Sequence, residues 1–170
     1  MKRFLALLTT TLAGLLPLHA TPLAVGAAAP DIAAVDENGQ PVKFADLYAK
    51  GLTLVYFYPK AGTPGCTAQA CSLRDGIVDL KKLGVNVIGV SHDTPAAQKA
   101  FKEKYQLPFT LIADSDGKVI AAFGVPTIPV VGLAKRQSFL VKDGRIVWYS
   151  PNAQTATHAK EVEAAIASLK

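Results

Sequence analysis

The chain is poor in the residues on which most metal, cofactor and nucleic-acid chemistry relies. Its 170 residues include two cysteines, three histidines, one tryptophan and one methionine, and only 18% are charged. No G-x-G-x-x-G fingerprint and no P-loop occurs, so the common glycine-rich phosphate cradles are missing. The net charge of +5 is not gathered into Lys/Arg clusters with interleaved aromatics, which leaves no electrostatic footprint for nucleic acid. Asp93, Asp114 and Asp116 are scattered near strand ends and turns. The D-S-D-G string at 114–117 faintly resembles part of a calcium loop, but the later glutamate and the ladder of ligands are missing. Neither a metal nor an organic cofactor is expected. His19 lies in the N-terminal leader, and His92 and His158 read as surface or capping residues. No motif places a histidine beside a cysteine, so a Cys–His nucleophile pair has no support.

The N-terminus, MKRFLALLTTTLAGLLPLHA, carries a long apolar run that is uncharged after Arg3. Lys2 and Arg3 form a positive n-region, residues 4–16 a largely apolar h-region, and Pro17 breaks the run before the small residue Ala20. The run is shorter than the roughly 20 apolar residues of a membrane span. Residues 1–20 therefore read as a cleavable secretory signal peptide, and the leader holds no cysteine for lipid attachment. An exported, periplasmic protein with no stable membrane insertion after cleavage is expected. Lys2 and Arg3 carry two of the charges, leaving a formal +3 on the remainder. Residues 21–30, rich in Ala and Pro, read as a flexible lead-in. Residues 31–170 show no internal repeat or linker and suffice for one domain with its own core.

Within that domain, Asn38-Gly39 is a hairpin turn signal, with a returning strand at 41–44 and a helical turn at 45–48. Residues 52–58, LTLVYFY, form a continuous apolar and β-branched run, the pattern of a strand buried on both faces. A helix is predicted from Pro64, interrupted at Gly76 and stopped at Gly84. A second buried strand spans 85–90, and Thr94-Pro95 forms an N-cap and N1 pair for a helix to Tyr105. A short strand at 110–113, a helix or turn at 116–123, a hairpin of 136–141 with 145–149 and a C-terminal helix at 156–169 complete the series. This order fits a thioredoxin-like α/β fold: a central mixed β-sheet flanked by helices, with an N-terminal β-hairpin extension.

The two cysteines, Cys66 and Cys71, lie in YFYPKAGTPGCTAQACSLRD, residues 56–75. Cys66 falls in the first turn of the predicted helix, where free backbone N–H groups and the helix dipole favour a thiolate. Five residues of helix correspond to about 500° of rotation and about 7.5 Å of rise, which places the Cα atoms roughly 8–9 Å apart. A disulfide needs Cα atoms within about 7 Å. Two helical thiols at this spacing cannot bond unless the turn unwinds. Either the segment is not a regular helix, or the pair is built to switch; a static structural disulfide is the blander alternative.

Pro59, Thr63 and Cys66 match the P-x-x-x-T-x-x-C signature of the peroxiredoxins, and YPKAGTPGCTAQACSLRD resembles their peroxiredoxin Q, or bacterioferritin comigratory protein, branch. That branch often carries its second cysteine in the same helix, as Cys71 is here. The likeness continues through residues 87–125 and through RQSFLVKDGRIV at 136–147. It implies a thiol-dependent peroxidase of the atypical two-cysteine type, acting on hydrogen peroxide and organic hydroperoxides. Cys66 would become a sulfenic acid, Cys71 would resolve it as an intramolecular disulfide, and a thioredoxin-like dithiol protein would recycle the pair.

The same resemblance assigns the supporting residues. Thr63 would hydrogen-bond a peroxide oxygen, Pro59 would close over the thiol, and Arg136, in the R-x-[ST]-F context, would hold thiolate and peroxide with its forked donors. The backbone N–H groups of Gly65 and Cys66 face incoming negative charge at the helix start. Taken singly, Thr63 is equally a helix cap and Arg136 a solvated edge charge; Lys60 and Arg74 read as surface charges. Residues 126–134, PTIPVVGLA, depart from the family in being short and apolar, and Ile128-Pro129 is a candidate cis bond, although trans is the favoured isomer. This loop could dock a reductant, admit bulkier hydroperoxides or form a dimer contact, or equally pack on its own domain; a monomer or weak homodimer is expected. The alternative function is thiol–disulfide exchange on exported proteins, although that chemistry ordinarily uses C-x-x-C.

Overall fold

The computed structural model describes residues 21–169; the signal-peptide reading falls outside them. The element order is β1 (Ala33–Val35), β2 (Pro41–Lys43), α1 (Phe44–Tyr48), β3 (Leu52–Phe57), α2 (Pro64–Asp75), α3 (Ile77–Lys82) and β4 (Val85–Ser91). Then follow α4 (Pro95–Tyr105), β5 (Thr110–Ala113), α5 (Lys118–Ala122), β6 (Gln137–Lys142), β7 (Arg145–Ser150) and α6 (His158–Ser168). The strands form a five-stranded sheet in the order β5-β4-β3-β6-β7, with β1 and β2 as a separate hairpin. β3, β4 and β5 run parallel, whereas β6 pairs antiparallel with both β3 and β7. This is the thioredoxin-like arrangement expected from the order of elements.

Alternation along β3 explains why the run 52–58 is apolar throughout. Leu54, Tyr56 and Tyr58 face one core with Ala70 and Leu73 of α2, Phe101 of α4 and Val162 of α6. Val55 and Phe57 face the other, with Phe44 of α1, Ile120 of α5 and Phe139 of β6. A period of two places successive side chains on opposite faces, so a strand covered on both sides needs apolar residues at every position. Gly89 lies opposite Tyr56 in the β3–β4 ladder, where a Cβ would come within 2.7 Å of the Tyr56 ring. Glycine at that point makes room for the aromatic group that reaches toward the site.

Some local features differ from the sequence reading. Residues 21–30 are not a free lead-in. Gly26 N–H donates to Ile146 O at 2.7 Å, Ala29 N–H to Gly144 O at 2.8 Å, and Leu23 N–H to Phe123 O at 3.2 Å. The segment runs along the β7 edge, satisfying backbone groups that an open edge would expose. The returning strand of the first hairpin ends one residue early, because Phe44 starts α1 and is fully buried there. Ile128-Pro129, by contrast, takes the commoner trans form, as do all peptide bonds among the described residues.

Candidate active site

Every element that forms the site meets at the N-terminal end of α2. Thr63 holds extended backbone angles and Pro64 takes the first helical position, where its missing N–H leaves no hydrogen bond unmade. The Thr63 hydroxyl donates to Lys60 O at 3.0 Å and makes no side-chain cap, so it closes the preceding turn. The helix start is capped by backbone geometry alone. Pro59 is half-buried between β3 and this turn.

The turn is anchored from β4. Asp93 accepts from Ala61 N–H at 2.7 Å and from Ser91 Oγ at 2.7 Å. Gln98 of α4 donates to Ser91 Oγ at 2.8 Å and to Ile112 O at 3.0 Å, and it accepts from the Tyr58 hydroxyl. A buried polar chain thus links α4 and β4 to the loop that delivers Thr63. Burial also raises the Tyr58 phenol far above its ordinary pKa, so it serves as a neutral donor.

Cys66 is 1% exposed and sits in the first turn of α2. Its Sγ accepts from Arg136 Nη2 at 3.4 Å. Arg136 precedes β6 directly, and β6 lies beside β3 in the centre of the sheet. Gly65 allows the approach: a Cβ there would stand 3.3 Å from Arg136 Nη2. The structure therefore brings Cys66, Gly65 and Arg136 together. Cys71 is half-buried in the same unbroken helix, and both cysteines are free thiols. Their placement in one regular helix leaves unwinding as the only route to a bond between them.

Two site residues escape sequence reasoning. Arg136 Nη1 donates to Gln69 Oε1, and Gln69 Nε2 lies 3.0 Å from His158 Nδ1. His158 Nε2 in turn lies 3.0 Å from Ser138 Oγ on β6. His158 is neither a surface nor a capping residue. It is 0% exposed, and its ring meets the Tyr56 ring edge-on at 6.0 Å between centroids. Burial, reinforced by the Arg136 charge, pushes its pKa down to about 3, so the ring is neutral at physiological pH. Gly76 makes this docking possible. A Cβ at the α2–α3 break would come within 2.6 Å of Ala159 Cβ, and Ala159 N–H donates to Ser72 Oγ at 3.2 Å. The start of α6 thereby rests directly on α2.

The remaining polar candidates lie apart from this cluster. Arg74 donates to Tyr105 O at 2.9 Å and pairs with Asp75 at 2.8 Å, joining α2 to the end of α4. Lys60 is exposed, and His92 is half-buried with its ring against Gly117. Asp114 is a cap: its carboxylate accepts from Val119 N–H at 3.0 Å and Ile120 N–H at 2.8 Å at the start of α5. In the 126–134 loop, Ile128 N–H bonds Leu133 O at 2.7 Å, and the loop lifts Val130 and Val131 into solvent.

Comparison with known proteins agrees with this geometry. Residues 25–150 match the AhpC/TSA family. The chain is 42% identical over 129 residues to the chloroplastic peroxiredoxin Q of Oryza sativa subsp. japonica, an alignment covering 76% of this chain but 59% of that protein. It is 49% identical over 104 residues to peroxiredoxin Bcp of Escherichia coli K12, covering 61% of this chain and 66% of that one. The chain thus spans about six-tenths of the length of the rice relative. Among solved structures, a bacterioferritin comigratory protein of Xanthomonas campestris, described for its alkyl peroxide reduction activity, superposes with a TM-score of 0.76 at 28% identity. That match covers 87% of this chain and 98% of the other. The chain belongs to the AhpC/TSA family of peroxiredoxins, in the peroxiredoxin Q and Bcp branch.

Proposed function

We propose that the protein is a thiol peroxidase that reduces hydrogen peroxide and organic hydroperoxides through Cys66. The observation that carries this reading is a buried thiol at a helix start with a guanidinium nitrogen 3.4 Å from its sulfur. Arg136 is always charged and only donates, so it favours the thiolate as acceptor and offers positive charge where a leaving oxygen becomes negative. The Cys66 thiolate attacks the near peroxide oxygen, the O–O bond breaks, and the other oxygen leaves as alcohol or water after gaining a proton. Cys66 is oxidised to the sulfenic acid and the peroxide is reduced. The free N–H groups at the start of α2 face the same charge.

Cys71 then attacks the sulfenic sulfur, a disulfide forms, and water leaves with the thiol proton. This step requires the turn between residues 66 and 71 to unwind, because a regular helix separates the two sulfurs. A thioredoxin-like dithiol protein reduces the disulfide by exchange and carries the oxidising equivalents away. The alkyl peroxide activity described for the Xanthomonas campestris relative supports extending the substrate class beyond hydrogen peroxide. Export to the periplasm is proposed from the composition of residues 1–20, and a reductant on that side of the membrane would then be required.

Turnover with a dithiol reductant tests the whole cycle. The wild-type chain should consume peroxide over many turnovers, whereas Cys71→Ser should be oxidised once at Cys66 and then stop. Undiminished multiple turnover by Cys71→Ser would remove Cys71 from the resolving role.

A further inference from the structure

We propose that His158 is a positioning residue that holds Arg136 on the Cys66 sulfur through Gln69, and that the same contact opposes formation of the Cys66–Cys71 disulfide. The inference rests on the peroxidase reading above.

The hydrogen-bonding capacities of the four side chains force a single pattern. A guanidinium has donors only, so the Gln69 atom facing Arg136 is the carbonyl Oε1. Gln69 then turns its amide nitrogen to His158 Nδ1, 3.0 Å away. An amide nitrogen also only donates, so Nδ1 is the bare acceptor and the ring proton resides on Nε2. That proton is donated to Ser138 Oγ at 3.0 Å. A protonated ring would set an Nδ1–H against the amide N–H, and flipping the amide to relieve this would set its nitrogen against Arg136. Neutral His158, by accepting the Gln69 amide N–H, thus locks Gln69 in the orientation the guanidinium requires, and Gln69 in turn holds the guanidinium in place. All of these groups are wholly buried except Arg136, which leaves no water to substitute for a lost partner.

The second half follows from position in the chain. Gln69 lies between the two cysteines, inside the turn that must unwind to join them. Unwinding withdraws Gln69 from both Arg136 and His158. The bonds that keep the guanidinium beside the thiolate are therefore the bonds that must break for resolution. Weakening the contact should slow oxidation by peroxide and speed disulfide formation, opposite effects on two steps of one cycle.

The test combines nitrogen NMR of the imidazole in the reduced chain with rapid kinetics of His158→Leu, which has no acceptor, and His158→Asn, whose Oδ1 can replace Nδ1. Wild type should show the neutral Nε2–H tautomer. His158→Leu should be oxidised by hydrogen peroxide about tenfold more slowly, the scale of one lost hydrogen bond, and should form the disulfide severalfold faster. His158→Asn should recover most of the peroxide rate. An Nδ1–H tautomer, an unchanged peroxide rate in His158→Leu, or equal slowing by Leu and Asn would overturn the proposal. Should His158→Leu fail to fold, Gln69→Glu serves instead: its carboxylate still accepts from Arg136 but offers His158 no N–H, so the ring should take a proton on Nδ1. A neutral Nε2–H ring in that variant would refute the assigned pattern. The NMR arm contains no peroxide, so a wrong tautomer refutes the positioning role alone. Slow oxidation of a wild type with the right tautomer refutes the peroxidase reading alone.

Discussion

Acid should destabilise the reduced protein through His158. The ring has an ordinary pKa of 6.5 in the unfolded chain and one of about 3 in the folded core. Between those values the unfolded state binds one more proton than the native state, so stability falls as pH falls, by about 1.4 kcal/mol per pH unit. The contribution is fully present above the unfolded value and declines across the window from pH 6.5 to about 3. Lowering the pH from about 7 to about 5 should therefore remove about 2 kcal/mol. His158 is fully buried, so solvent does not screen this effect. Asp114 acts in the opposite sense. Desolvation raises its pKa in the fold, so the native carboxyl takes up a proton first and acid favours the native state there. Its part is common to wild type and variant. Urea unfolding of reduced wild type and His158→Asn, followed by the fluorescence of the lone Trp148, would isolate the histidine. Wild type should lose about 2 kcal/mol more than the variant between these two pH values. Parallel pH dependences would refute the claim that a buried neutral imidazole supports the site.

Arg136→Ala should slow peroxide oxidation of Cys66 about a hundredfold, and Arg136→Lys should restore little, because one ammonium cannot reach both Sγ and Gln69 as the fork does; stopped-flow oxidation would measure both. Gly65→Ala should lower the same rate severalfold with little change in urea midpoint, since its Cβ would crowd Arg136 Nη2 at 3.3 Å while improving helix propensity. Asp93→Ala leaves Ala61 N–H and Ser91 Oγ without their acceptor and should destabilise the fold by about 1–3 kcal/mol, read from urea unfolding.

Much of this architecture is legible in the sequence, for identifiable reasons. The strand near 52–58, the helix start at Pro64 and the cap at Thr94 depend on local rules of burial and backbone geometry. Thr94 indeed accepts from Ala97 N–H at 3.3 Å. Cys66 and Arg136 were reachable because family motifs carry them, and Gly65 because its N–H lies at the helix start. Gln69 and His158 were not, since their contact joins residues 89 apart and depends on how α6 docks over Gly76. A histidine followed by a helix offers no local sign of burial. The only available signal for Gln69 was its place one turn after Cys66, on the side that proves to face α6. Residues 21–30 were misread for a related reason: their pairing with β7 uses backbone groups, which leave no side-chain pattern.

The most direct test of the central claim is stopped-flow oxidation of the reduced protein by hydrogen peroxide, with Cys66→Ser as control. The site described here predicts fast, stoichiometric loss of thiol in the wild type and none of that phase in Cys66→Ser. Oxidation no faster than that of free cysteine would contradict it, and would show that Arg136 beside a buried thiol does not make this protein a peroxidase.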